Sequence, residues 1–160
     1  MKNWLYLFSV LLLLNGCSDR KDEQQQTQTP PAQAAKTADY ENRTFTFETT
    51  GLQEGCTEES KMICALNLAV KCTLNPKFSE CDKNKMPRFI FMEDDSLDRP
   101  SELSYKIKKI RPLPDGTVEV ITDSNCNGNW FGLCKGTVIY VMNTDGDNWK
   151  VKDLYALQEL

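Results

Sequence analysis

The feature that narrows the fold most is sulfur without imidazole. Six of the seven cysteines, Cys56, Cys64, Cys72, Cys81, Cys126 and Cys134, lie between residues 56 and 134, and the chain has no histidine. No two of them are spaced C-x-x-C, so a structural zinc site and a thioredoxin-type redox pair both lack their usual donors. Without histidine, Ser-His-Asp and Cys-His catalysis are excluded and the commonest general base is missing. No metal and no cofactor is expected. An even set of cysteines that neither ligates nor catalyses reads as up to three structural disulfides.

Spacing orders the pairings. Cys126 and Cys134 flank NGNWFGL between two strand-like runs, and a bridge across the base of that loop meets the Cα separation of roughly 4.4 to 6.8 Å that a disulfide requires. Cys64 and Cys72 cannot bond along one regular helix, since eight residues at about 1.5 Å each put them roughly 12 Å apart. Cys72 with Cys81 closes the loop TLNPKFSE and leaves Cys56 for Cys64, provided Cys56 lies outside the helix and folds back. Cys64 with Cys81 and Cys56 with Cys72 is the open alternative.

The seventh cysteine stands apart. After Lys2 the chain runs WLYLFSVLLLL from Trp4 to Leu14, then Asn15, Gly16 and Cys17. That run falls short of the about 20 apolar residues a membrane span needs, so it reads as an export signal. The tetrad Leu14-Asn15-Gly16-Cys17 resembles the lipobox of bacterial lipoproteins, with Asn15 departing from the usual small or apolar residue. The resemblance implies a diacylglyceryl thioether, and commonly an N-acyl chain such as palmitate, on Cys17, enough acyl tails to anchor the chain stably in a membrane. Ser18, where enteric lipoproteins kept at the inner membrane carry aspartate, implies the outer membrane, with the domain facing periplasm or cell surface. The plainer alternative is a secretory signal cut near Gly16. The expected division is a signal peptide at 1–16, the lipidated cysteine and a polar tether at 17–39, and one domain at 40–160.

The tether, SDRKDEQQQTQTPPAQAAKTA from Ser18 to Ala38, has too little apolar surface to order itself. Its job is reach. Losing Lys2 leaves 18 of the 19 basic residues against 23 acidic ones, a mildly acidic balance that excludes nucleic acid as a partner. The one basic run, Lys106 to Arg111 (KIKKIR), interleaves with Ile107 and Ile110 and reads as the solvated face of a strand, with a partner-binding or membrane-facing patch as the alternative.

Within the domain, RTFTFETT (Arg43 to Thr50) reads as a short strand or extended lead-in. Glu58 to Val70 places Met62, Leu66 and Ala69 on one helical face beside Ile63 and Val70, with Thr57 as cap. Pro76 is expected to open a second short helix toward Asp82, and Met86 to Met92 reads as a short buried strand. Ser104 to Arg111, Thr117 to Ser124, Gly136 to Asn143 and Asn148 to Tyr155 are four strand-like runs separated by turn residues. The expected fold is therefore α+β, with N-terminal helices packed on a curved four-stranded antiparallel meander and fastened by disulfides. That order, closing on Trp149-Lys150-Val151-Lys152-Asp153-Leu154-Tyr155, resembles the nuclear transport factor 2-like (cystatin-like) superfamily. The resemblance implies a cone-shaped scaffold whose cavity is an active site in ketosteroid isomerases and only a frame in many other members; no catalytic residue carries over.

Candidate sites are few. Trp130 and Phe131 at the tip of the Cys126 to Cys134 loop are candidate partner anchors, against packing over the domain's own core. Glu93-Asp94-Asp95 with Asp98 reads as a solvated acidic loop before it reads as a cation site. Asn143, Asp145 and Asp147 lack the glycine position and closing glutamate of a calcium loop, so Asp145-Gly146 is a tight turn. The function expected is non-enzymatic: an anchored envelope protein that binds a protein partner, as part of an envelope or secretion assembly or as an inhibitor or immunity protein. The alternative is a small-ligand binder or cavity enzyme of the ketosteroid-isomerase type, with Glu93 or Asp123 as acid or base in an apolar pocket.

Overall fold

The structure, a computed structural model, describes residues 39–91, 99–128 and 134–157. Strand β1 (Thr44–Glu48) leads through a 3-10 turn at Thr49–Gly51 to helix α1 (Lys61–Leu74), and a second 3-10 turn occupies Arg88–Phe91. Strands β2 (Glu102–Pro112), β3 (Val118–Cys126), β4 (Lys135–Asp145) and β5 (Asn148–Leu157) follow. All five strands form one antiparallel sheet in the order β1-β2-β3-β4-β5.

The expectation of several N-terminal helices on a four-stranded sheet is thus corrected to a five-stranded sheet with one α-helix among the described residues. Three local causes account for it. The lead-in TFTFE joins the sheet, pairing Phe45 with Tyr105 and Phe47 with Leu103, because its two phenylalanines have the tyrosine ring to pack on, at 5.2 and 6.4 Å between centroids. Beyond Asn75-Pro76 the chain makes successive turns, with the Phe78 N–H donating to Asn75 O and the Cys81 N–H to Phe78 O, instead of a second helix. Pro87, which has no N–H, starts a 3-10 turn closed by the Ile90 N–H on its carbonyl, where a strand was expected.

Helix α1 begins three residues later than expected. Ser60, not Thr57, is the cap, its Oγ accepting from the Ile63 N–H at 3.4 Å. It runs to Leu74 and stops before Pro76. Arg99 donates to the Thr73 carbonyl at 2.7 Å and to Ile90 O at 3.0 Å, so one guanidinium serves an unpaired helix carbonyl and ties the helix end to the second 3-10 turn.

Alternation in the strands builds the core. Leu103, Tyr105 and Ile107 of β2, Val118, Val120 and Thr122 of β3, Val138, Tyr140 and Met142 of β4 and Val151 of β5 point to the side that α1 covers with Met62, Ile63, Leu66, Ala69 and Val70. The hydroxyl of Thr122 is matched there by Val138 O at 2.9 Å. Tight turns join the strands: Gly116 (φ 83°) and Gly146 (φ 61°) take the left-handed backbone that the β2–β3 and β4–β5 turns require. Three disulfides fasten this frame: Cys56–Cys64, Cys72–Cys81 and Cys126–Cys134, with Cα separations of 5.6, 5.7 and 4.6 Å. Of the two arrangements the sequence left open, this is the one in which Cys56 folds back from outside the helix onto its first turn.

Candidate partner-binding face

The helix covers one side of the sheet. On the other side the strand register lines outward side chains into three rows across β2, β3, β4 and β5. The middle row is Lys109, Ile121, Ile139 and Tyr155; the second is Arg111, Glu119, Val141 and Asp153; the third is Lys106, Asp123, Thr137 and Leu157. The middle and adjoining positions make a short apolar stripe in an otherwise charged face. Tyr155 is 51% and Leu157 53% exposed, the exposed large hydrophobic residues among those described.

Two β-bulges create this arrangement. The register shifts between Ile107 and Lys109 on β2, and between Val141 and Met142 opposite β5, so Lys108 and Lys152 are the extra residues. By strict alternation Val151 and Tyr155 would share a face; because of the bulge at Lys152, Val151 is buried in the core while Tyr155 stands on the open side. Leu154 and Ala156 turn inward against the core instead.

The charges of the face are partly matched in place. Lys108 bonds Asp123 at 2.8 Å, and Arg111 forks onto Glu119, its Nε at 2.8 Å. Among the described residues Lys106 and Lys109 make no ion pair. The Tyr155 hydroxyl donates to Asp153 at 3.3 Å, and the negative charge of that carboxylate, followed by this hydrogen bond, raises the phenol above its ordinary value.

The covered side offers a cleft, but a satisfied one. A groove of about 570 Å³ runs between β1 and the 51–58 segment, with Asn67 and Lys71 in its wall. The Lys71 ammonium donates to the carbonyls of Gln53 (2.7 Å) and Gly55 (3.0 Å), and the buried Tyr105 hydroxyl donates to Asn67 Oδ1. Burial pushes the Tyr105 phenol well above its usual range, with the charges of Tyr140 and Glu58 adding to the effect, so it stays protonated. Glu58 at the groove's rim is held by Arg43 at 3.1 Å. No aspartate or glutamate is among the buried described residues. Asp123, one of the two carboxylates suggested as acid or base, lies on the open face, its side chain 47% exposed and paired to Lys108. A carboxylate in an apolar cavity, the requirement of the isomerase alternative, is therefore not met among the described residues.

Cys17, Trp130, Phe131, Glu93, Asp94, Asp95 and Asp98 lie outside the described residues. The structure brings Cys126 and Cys134 together at the base of the loop that carries Trp130 and Phe131, the Cys126 N–H donating to Cys134 O at 2.9 Å. The β4–β5 turn, expected at Asp145-Gly146, lies one residue on: Gly146 and Asp147 form it, with Asp145 the last residue of β4 and paired to Asn148. Alternation in the sequence sets Ile121 against Val118 and Val120, and Ile139 against Val138 and Tyr140, but sequence reasoning missed that Lys109 and Tyr155 complete their row. A signal for the β2 bulge was present, since Ile107 and Ile110 are three apart, which strict alternation does not allow on one face. Comparisons with family models, curated proteins and solved structures find no match to this chain, so the reading of the site rests on its own geometry.

Proposed function

We propose that this chain is a lipid-anchored protein of the bacterial envelope whose domain binds a protein partner through the open face of its sheet, without catalysing a reaction. The observation that carries the reading is the apolar row Ile121–Ile139–Tyr155, in which the isoleucines are half-buried and Tyr155 is exposed, edged by exposed Leu157 and by ion-paired charges. A sheet face that no described element covers, bearing a tyrosine anchor and a polar rim, has the composition of an interface. The disulfides suit an oxidising compartment, as an exported domain needs. The lipobox-like tetrad at Cys17 supports the anchor. Within the described residues no helix is long and apolar enough to cross a membrane. The resemblance to the nuclear transport factor 2-like (cystatin-like) superfamily enters as a proposal about scaffold only, supported by a helix laid across an antiparallel meander.

The test has two arms in intact cells. Labelled palmitate should enter the wild-type chain and be absent from Cys17→Ser, which should leave the membrane fraction. A photoreactive residue at position 139 should give a protein adduct that Tyr155→Lys weakens, whereas one at exposed Lys77 should give none. An unlabelled chain disproves the anchor. Equal or absent adducts at both positions disprove the binding face.

A further inference from the structure

We propose that the partner is a second copy of this chain, laid face to face on the open side of the sheet about a two-fold axis parallel to the strands; the inference rests on the partner-binding reading above and narrows it. Its support is the order of charges along the rows. β2 places only bases in them, Lys106, Lys109 and Arg111, whereas β5 places Asp153, Tyr155 and Leu157 at the other end. A two-fold passing between β3 and β4 along the strands sets β2 over the copy's β5, and β3 over its β4, at the same level.

Each row then meets itself reversed. Arg111 faces the copy's Asp153, Lys109 faces the ring of its Tyr155, and Ile121 lies on its Ile139. A two-fold running across the strands would instead set Arg111 against the copy's Lys106, like charge on like. The charge pattern therefore selects one of the two face-to-face arrangements. Edge-to-edge pairing through β5 is opposed by its bulge and by Lys150 and Lys152. With strands about 4.8 Å apart and rows about 7 Å apart, the contact spans roughly 15 Å each way before side-chain reach, small for a stable dimer. The association is weak, and covalent capture is the way to see it.

The experiment uses the full chain in cells, expressed in two differently tagged forms with the photoreactive residue at position 139. The expected adduct carries both tags and runs at twice the 18.3 kDa of one chain, less any removed signal. Asp153→Arg alone and Arg111→Asp alone should each lower the doubly tagged adduct at least about fivefold, the loss of a close charge pair across an interface. The double exchange, Arg111→Asp with Asp153→Arg, should restore it, which a merely unfolded variant would not. An adduct only with some other protein overturns the second-copy inference and leaves the partner-binding reading standing. Indifference to the Asp153→Arg exchange overturns the proposed arrangement, and the absence of any adduct overturns both readings.

Discussion

The two faces of the sheet are built from the same four long strands and behave as two different materials. On the covered face Ile107, Val120 and Val138 have no solvent exposure, and even the polar members find partners, Tyr105 on Asn67 and Thr122 on Val138 O. On the open face the neighbouring positions carry Lys109, Ile121, Ile139 and Tyr155, with ion pairs on either side. The first face is spent on stability. The second leaves its apolar side chains less covered, Ile121 and Ile139 half-buried and Tyr155 exposed, as the proposed partner contact requires.

The largest expected effect is a truncation on the covered side. Leu66→Ala removes a side chain with no exposure and should cost about 2 to 5 kcal/mol in urea unfolding, while Ile139→Ala, measured at low protein concentration, should cost about 1 kcal/mol or less. Equal losses would erase the distinction between the faces.

Next comes the cross-link behind the helix. Replacing Cys72 and Cys81 together by serine opens a loop of about ten residues, and the chain-entropy argument puts the loss at about 2.5 kcal/mol, read as a lower urea midpoint. An unchanged midpoint would mean that packing alone holds the end of α1 in place.

The smallest effect separates the tyrosines. Tyr105 and Tyr140 are buried on the covered face, and desolvation raises both phenols above their ordinary value of 10.0. A folded-state value above the unfolded one means that their contribution is complete below pH 10 and is lost as pH rises beyond it, because unfolding then releases protons. Melting temperature should thus fall between pH 10 and pH 11.5, and Tyr140→Phe should flatten that fall. Tyr155→Phe should not, since its hydroxyl is exposed and responds mainly to Asp153. A fall of the same depth in wild type and in Tyr140→Phe would count against the assignment.

Much of the fold was legible because its signals are local. Met62, Leu66 and Ala69 mark a helical face by spacing alone, and Val118, Val120 and Thr122 mark a strand. The loop between Cys126 and Cys134 is short enough for spacing to suggest its bridge. TFTFE, which reads as a short strand or an extended lead-in, is a strand, and it takes a place in the sheet because Tyr105 offers its phenylalanines a surface. Other segments have an ambiguous local pattern and differ from the expectation: beyond Pro76 the chain turns instead of forming a second helix. The run around Ile90 looked like a buried strand from composition, but Pro87 and the Arg99 bonds to the helix end make it a turn.

The open face shows where local reading stops. Residue order alone determined the four long strands, the turn at Asp115-Gly116, the glycine of the β4–β5 turn, the even set of cysteines and the absence of histidine. Which residues of β2 and β5 stand beside Ile121 and Ile139 on the open face was decided only in the folded sheet. One extra residue at Lys108 and another at Lys152 reverse the alternation partway along β2 and β5, and such an insertion is defined by the partner strand opposite, which a single chain read in order does not contain.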